Sequence, residues 1–188
     1  NREPVLKRKV AHWLMQREPG QALIFCRTKR GAGARERVLH RGGHKVGVLH
    51  ADRTQDERNR SLAKFRSGEV RVLVATDLAS RGLDIDGIAR VVNYDVPPTA
   101  EDYLHRIGRT ARAERAGTAS TFVTLEDLQS VRSIESVTKQ RIPTIFVKSE
   151  DLLALARELS AREWESPPPR SHGSHGSRDS HGSHGSHG

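Results

Sequence analysis

The chain contains very little cysteine and no long apolar segment. Cys26 is the only cysteine among 188 residues, which excludes an internal disulfide bond and favours the reducing environment of the cytoplasm. No apolar run approaches the roughly 20 residues that span a bilayer, and the first residues lack the pattern of a secretory signal. We therefore predict a globular cytoplasmic domain without membrane contact, in which Cys26 is a small buried hydrophobic residue.

Aromatic residues are also scarce, at 4% of the chain, whereas positive charge is abundant. So few rings argue against a surface that binds single strands mainly by stacking bases on aromatic side chains. The 32 lysines and arginines against 23 acidic residues give a net charge of +9, which favours a polyanionic partner, nucleic acid first. A nucleic acid would then be held by its phosphate backbone.

Short apolar runs alternate with helical patterns along most of the chain. The runs predict buried strands at residues 22–26, 46–49, 70–75, 89–94 and 119–123. Apolar spacing and turn signals predict helices at residues 5–16, 34–40, 55–66, 99–105, 125–137 and 150–163, with Thr99 as a helix cap. This alternation predicts an α/β fold of three layers, in which a mostly parallel central sheet has helices on both faces.

Composition divides the chain into three parts. Residues 1–148 are predicted to form one domain, and residues 149–165 a C-terminal helix that extends this domain or serves as a linker. The sequence leaves open whether that helix packs on the domain, leads into a further binding module or joins a dimer. Residues 166–188 contain a proline run and then His-Gly-Ser repeats, which are typical of a disordered affinity tag.

The segment from His105 to Arg112 reads His-Arg-Ile-Gly-Arg-Thr-Ala-Arg and repeats arginine at every third position. On a helix or a tight turn this spacing keeps the guanidinium groups near one face. Arginine offers a planar fork of donors that matches phosphate oxygens, so the cluster fits either a nucleotide phosphate or a nucleic-acid backbone. A solvated basic turn is the alternative. Polar residues that follow predicted strands, at 28–30, 50–52, 76–77 and 95, mark the sheet edge where ligands bind in such folds.

Four segments together resemble the C-terminal RecA-like domain of DEAD-box RNA helicases, within helicase superfamily 2. They are similar, in the family order, to motif IV, the Gln-x-x-Arg motif, motif V and motif VI, at residues 22–30, 49–58, 74–85 and 105–112. The resemblance runs from about Arg2 to Val147 and includes residues 92–97. Four motifs in order are far more specific than any one of them.

The chain also departs from the family pattern. Ala51 and Ala111 stand where the family usually has glycine, and each adds one methyl group and a bias against positive φ. The sequence has no phosphate-binding Gly-x-x-x-x-Gly-Lys-Thr loop and no Asp-Glu-Ala-Asp segment. The family carries both on its N-terminal RecA-like domain. The resemblance therefore implies half of a catalytic unit.

The resemblance also assigns roles to individual residues. It implies that Arg109 and Arg112 are arginine fingers at the ATP phosphates, with Arg112 the first choice, and that Asp84 accepts a hydrogen bond from the ribose. His105 and Arg106 would couple this site to neighbouring motifs at the interdomain interface. Asp86 is interpreted as a turn residue. ATP with Mg²⁺ would be held mainly by the N-terminal domain, and no metal site is predicted in this chain.

RNA is the other implied partner, bound through its backbone and 2′-hydroxyls without reading of sequence. The predicted RNA-binding residues lie after strands, on one helix face or in motif V, and they are Thr28, Gln55, Arg58, Thr76, Arg81 and Gly82. The alternative for Arg58 is an ordinary exposed helix charge, and Arg81 could equally hold the interdomain interface.

These observations support three hypotheses. The first is the second motor domain of an ATP-dependent RNA helicase, which would unwind short duplexes with its N-terminal domain and be inactive alone. The second is a non-catalytic module that binds nucleic acid or another partner. The third is a DNA helicase or translocase of the same superfamily, although residues 80–85 and 105–109 fit the DEAD-box branch better.

Overall fold

The computed structural model describes residues 3–17, 20–80, 85–110, 117–145 and 147. The helix predicted at residues 150–163 and the repeat tail lie outside these residues. No helix within the described part of the chain combines the length and the apolar character that crossing a membrane requires.

Five strands and six α-helices alternate in the described residues. The strands are β1 (Ala22–Cys26), β2 (Val46–Leu49), β3 (Val72–Thr76), β4 (Arg90–Asn93) and β5 (Thr118–Thr121). The helices are α1 (Glu3–Arg17), α2 (Lys29–Arg41), α3 (Gln55–Arg66), α4 (Asp77–Ser80), α5 (Ala100–Ile107) and α6 (Leu128–Thr138), the last preceded by a 3₁₀ turn at Leu125–Asp127.

The five strands form one sheet in the order β2-β3-β1-β4-β5, and every pair is parallel. The strand β1 lies at the centre, where Ala22 pairs with Val72 on one side and with Arg90 on the other. The carboxyl ends of β3, β1 and β4 are therefore neighbours at one edge of the sheet. This confirms the predicted parallel sheet.

Side chains of the central strands alternate between two hydrophobic clusters, one on each face. Ile24 faces the cluster that contains Met15 of α1 and Leu39 of α2. Phe25, one residue later, faces the cluster that contains Phe65 of α3. Because a strand directs successive side chains to opposite faces, both faces are covered and the predicted three-layer α/β architecture is confirmed.

Local signals fix where several elements begin. Thr99 caps α5 by accepting a hydrogen bond from the backbone N–H of Asp102, as predicted. The helix α2 begins at Lys29, earlier than predicted, because Thr28 caps it. The prediction that β3 starts at residue 70 was wrong, since Val70 instead donates its backbone N–H to Lys64 in the last turn of α3. The helix α4 was not predicted.

Cys26 is fully buried, which confirms its expected character. Burial, reinforced by the nearby Asp95 carboxylate, raises the pKa of its thiol to about 12. The thiol is therefore unreactive in the folded protein at neutral pH.

Candidate functional site

Arg106, near the end of α5, lies in the interior at the carboxyl ends of three adjacent strands and is 2% exposed. Its Nε and Nη2 donate to the two carboxylate oxygens of Asp77, each over 2.7 Å. Its Nη1 donates to the side-chain oxygen of Asn93 over 3.2 Å and to the backbone carbonyl of Asp95 over 3.0 Å. The guanidinium carbon also lies 5.1 Å from the ring centre of Phe25. Arg106 thus joins α5 to the ends of β3, β4 and β1.

A second link connects the β1 and β4 ends directly. The carboxylate of Asp95 accepts a hydrogen bond of 2.9 Å from the backbone N–H of Arg27. Tyr94 donates its backbone N–H to the carbonyl of Phe25 over 2.9 Å. Because Asp95 also binds Arg106 through its carbonyl, the segment similar to motif IV and the segment similar to motif VI share one anchor.

Arg109 lies just beyond α5, where its side chain and that of Asp86 are each 26% exposed. Its Nη1 donates to Oδ1 of Asp86 over 3.2 Å. Its backbone carbonyl accepts from the N–H of Ile88 over 3.1 Å. Arg109 therefore reaches solvent, whereas Arg106 does not.

Thr110 packs beneath this turn and is 7% exposed. Its hydroxyl donates to the carbonyl of Ile107 over 2.9 Å, which closes the turn after α5. A Cβ atom on Gly117 would lie 2.5 Å from Cβ of Thr110, so the start of β5 approaches this turn as closely as glycine allows.

The predicted RNA-binding residues on α3 face one another. Nη1 of Arg58 donates to Gln55 over 3.3 Å, and Gln55 in turn donates to Asn59 over 3.0 Å. Nη2 of Arg58 donates to the carbonyl of Ala79 in α4 over 3.1 Å. The Gln-x-x-Arg segment is thereby connected to the helix that follows β3.

The remaining predicted residues have distinct surroundings. Thr28 is exposed, and its Oγ accepts the N–H of Gly31 at the start of α2. Thr76 ends β3 and is 7% exposed. His105 is exposed, with its ring nitrogen 4.0 Å from the carboxylate of Glu101. The other predicted site residues lie outside the described residues, and they are Arg81, Gly82, Asp84 and Arg112.

Exposed cations lie beside the same edge of the sheet. Arg27, Lys29 and Arg30 are exposed after β1, and Lys29 forms an exposed ion pair of 2.9 Å with Asp52. Within the described ranges, no three His, Cys, Asp or Glu side chains are arranged to hold a metal ion. The site is therefore rich in donors for phosphate, and the position of Mg²⁺ stays a prediction.

Sequence reasoning missed the partners that fix the arginines. Asp77 and Asp95 were noted only as polar residues after strands, although an acid such as Asp77 can bind an arginine from a later helix, and Asp95 binds Arg106 through its backbone carbonyl. Asn93 is fully buried at the end of β4, directly after two buried valines, and a lone amide there was the available signal. Nothing local distinguished Asp86.

Comparison with known protein families gives one matching domain description. The family described as the helicase conserved C-terminal domain matches residues 6–114. The ATP-dependent RNA helicase dbp8 of Aspergillus clavatus is 54% identical over 90 residues, which are 48% of this chain and 17% of that protein. The ATP-dependent RNA helicase p62 of Drosophila melanogaster is 50% identical over 92 residues, which are 49% of this chain and 13% of that protein. The aligned segment is thus a small part of each relative.

Solved structures share the fold over a larger part of the chain. The C-terminal domain of the DEAD-box protein Dbp5 superposes with a TM-score of 0.71 and 32% identity, covering 82% of this chain and 90% of that one. The Escherichia coli DEAD-box protein SrmB, solved bound to regulator of ribonuclease activity A, superposes with a TM-score of 0.70 and 34% identity. That match covers 78% of this chain and 87% of the SrmB chain.

Proposed function

Because this chain belongs to the family of the helicase conserved C-terminal domain, as the C-terminal RecA-like domain of a DEAD-box protein, we propose that its complete protein is an ATP-dependent RNA helicase. In this proposal the chain is the second of two motor domains. The first, N-terminal domain holds ATP with Mg²⁺, and the two domains close on each other when ATP and RNA bind.

One observation carries this proposal: four hydrogen bonds fix Arg106 to residues at the ends of β3 and β4, and its guanidinium lies beside Phe25 of β1. These contacts hold α5 and the following turn against the sheet, and Arg109 extends from that turn with its side chain 26% exposed. A cation on a rigid support is what phosphoryl transfer requires, because negative charge develops on the transferring group.

The proposed roles combine the described position of Arg109 with the family resemblance, which alone supports the roles of Arg112 and Asp84. Arg109 and Arg112 stabilise the charge on the ATP phosphates across the closed cleft, and Asp84 accepts from the ribose. Arg106 acts within the domain, through Asp77 and Asp95, and so couples motif VI to the strand ends.

RNA binding is proposed for the same edge of the sheet, where the backbone would contact Thr28, Gln55, Arg58, Thr76, Arg81 and Gly82. The exposed Arg27, Lys29 and Arg30 support this assignment through their charge. Closure would bend one strand of a short duplex until pairing is lost, and product release would reopen the cleft. Because Arg58 binds the Ala79 carbonyl, it also couples the RNA surface to α4.

The test is RNA-stimulated ATP hydrolysis by the complete two-domain protein. We expect Arg112→Ala to lower kcat about a thousandfold, the lower end of the range for transition-state arginines. Arg132→Ala removes an exposed arginine from α6 and is the matched control, expected to leave kcat unchanged. Full activity of Arg112→Ala would contradict the finger assignment.

Two further measurements separate the alternatives. The chain alone should bind RNA without hydrolysing ATP, and adding the N-terminal domain should restore hydrolysis. A complete protein that binds RNA but never hydrolyses ATP would instead be a non-catalytic binding module. Equal stimulation by DNA and RNA of the same sequence would favour a DNA helicase or translocase.

A further inference from the structure

A short turn at Asp86 and Gly87 is held from both sides by the hydrophobic core. Ile85 is 6% exposed and Ile88 is 3% exposed, and both belong to the cluster on the α3 face of the sheet. Gly87 adopts a φ of 69°, a left-handed conformation that glycine tolerates without strain. The turn therefore presents Asp86 from a fixed backbone.

Two contacts from this turn meet the same arginine. The Asp86 carboxylate accepts from Nη1 of Arg109 over 3.2 Å, and the backbone N–H of Ile88 donates to the carbonyl of Arg109 over 3.1 Å. Both the backbone and the guanidinium of Arg109 are thereby located relative to one turn that is anchored in the core. An arginine side chain without such support samples many rotamers, so any one geometry is populated only part of the time.

The ion pair of Arg109 is longer and more exposed than that of Arg106, which indicates a different role. Arg106 binds both oxygens of Asp77 over 2.7 Å and is almost completely buried, so it is a fixed structural element. Asp86 binds one nitrogen of Arg109 over a longer distance, and both side chains retain 26% exposure. A partly exposed ion pair of this length orients a guanidinium and still lets it meet a phosphate.

We propose that Asp86 is a positioning residue, which holds the Arg109 guanidinium at the rim of the cleft in the orientation that the transferring phosphate requires. This inference rests on the proposed function. It assigns to Asp86 an effect on kcat rather than on substrate binding, because orientation matters most when charge develops in the transition state.

The test is a double-mutant cycle in the complete two-domain protein, with RNA-stimulated ATP hydrolysis as the readout. We expect Asp86→Ala to lower kcat about three- to tenfold with little change in KM. We expect Asp86→Asn to lower kcat less than Asp86→Ala does, because the asparagine side-chain oxygen can still accept a hydrogen bond from Nη1 of Arg109. In the Arg109→Ala background, Asp86→Ala should have no further effect, since the group that it orients is gone.

Matched measurements distinguish positioning from a general structural role. Glu126→Ala removes an exposed carboxylate elsewhere and should leave kcat unchanged. Thermal unfolding of each variant shows whether a loss of kcat follows a loss of folding. An equal effect of Asp86→Ala with and without Arg109 would overturn the inference. A rise in kcat would also overturn it, since Asp86 would then compete with the phosphate for Arg109.

Failure of this inference is distinct from failure of the proposed function. If the unsubstituted protein hydrolyses ATP and Arg109→Ala is impaired, but the cycle is additive, only the role of Asp86 is refuted. If the unsubstituted protein shows no ATP hydrolysis, the proposed function fails and the role of Asp86 fails with it.

Discussion

Arg106 and Asp77 form a two-point ion pair in the interior of the domain, with both N···O distances at 2.7 Å. The pair connects the end of α5 to the first residue after β3, although 29 residues separate the two in the chain. Asn93 and Asp95 supply acceptors for the remaining nitrogen, Nη1. A planar guanidinium that binds the ends of β3 and β4 in this way fixes the end of α5 against the sheet.

Removal of the Asp77 carboxylate should strongly destabilise the domain. Asp77→Ala leaves the charge of Arg106 buried without its main partner, and breaking such a pair costs about 3 kcal/mol or more. We expect the free energy of unfolding in urea to fall by about 3 kcal/mol, because Asp77 retains 24% exposure and part of the loss is compensated by water.

The exposed ion pair of Lys29 with Asp52 is the matched control. Its N···O distance is 2.9 Å, but the two side chains are 56% and 57% exposed. Asp52→Ala should lower the free energy of unfolding by less than about 1 kcal/mol. Equal losses for Asp77→Ala and Asp52→Ala would refute the argument from burial.

Gly117→Ala should disturb the turn that carries Arg109. The added Cβ would lie 2.5 Å from Cβ and 2.6 Å from the carbonyl oxygen of Thr110, and 3.0 Å from the carbonyl oxygen of Ile88. Backbone atoms cannot yield as a flexible side chain can, so we expect a loss of about 2–3 kcal/mol in unfolding free energy. ATP hydrolysis by the complete protein should fall as well.

Gly33→Ala provides the comparison for this substitution. Gly33 lies inside α2, and a Cβ there would meet only the end of Arg37 at an ordinary distance of 3.6 Å. Because alanine is the better helix former, Gly33→Ala should stabilise the domain by about 0.5–1 kcal/mol. A loss of stability in both variants would mean that steric contact at Gly117 is not the cause.

The fold was largely predictable because its strands are buried on both faces. Such strands read as short apolar runs, and the run at Ala22–Cys26 matched β1 at both ends. The Thr99 cap likewise depends on residues close in the chain. The start of β3 was misplaced because Val70 has the same apolar character whether it pairs in a strand or closes the end of α3.

The site was less predictable, since long side chains choose partners that are distant in the chain. The spacing of Arg106 and Arg109 indicated a phosphate-binding cluster but did not show that Arg106 is buried and Arg109 partly exposed. Their partners, Asp77 and Asp86, lie 29 and 23 residues away. Only the order of strands in the sheet, which composition does not specify, brings these carboxylates to α5.

Acid should destabilise the domain through His44. Burial, together with the nearby His12 and the charge of Arg71, lowers the pKa of His44 from 6.5 to about 4. Its ring contacts Nδ1 of His12, which in turn contacts Gln16 through its other nitrogen. Between these two pKa values the unfolded chain takes up a proton at His44 that the folded chain does not. The contribution of neutral His44 to the free energy of unfolding is therefore complete above about pH 6.5 and is lost as the pH falls towards about 4.

Thermal unfolding at two pH values measures this effect. His44 is half-buried, so solvent screening reduces the effect. We expect the free energy of unfolding to be about 1 kcal/mol lower at about pH 5 than at about pH 7, which lowers Tm by roughly 3 °C. His44→Gln should reduce this difference. His40→Gln, at an exposed position on α2, should not change it. An unchanged pH dependence in His44→Gln would assign the acid sensitivity to another group.

Thr28 allows its structural and functional roles to be separated. Its Oγ caps α2 by accepting from Gly31 over 3.0 Å, so Thr28→Ala should cost about 1 kcal/mol of unfolding free energy. Serine and aspartate also cap helices, so Thr28→Ser and Thr28→Asp should keep that stability. If Thr28 contacts the RNA backbone, the carboxylate of Thr28→Asp repels phosphate and weakens RNA binding by about tenfold, whereas Thr28→Ser binds normally. Ser130→Asp adds the same charge on α6 and should bind RNA normally. If both aspartate variants weaken RNA binding equally, the cause is the change in net charge and not a contact between Thr28 and the RNA.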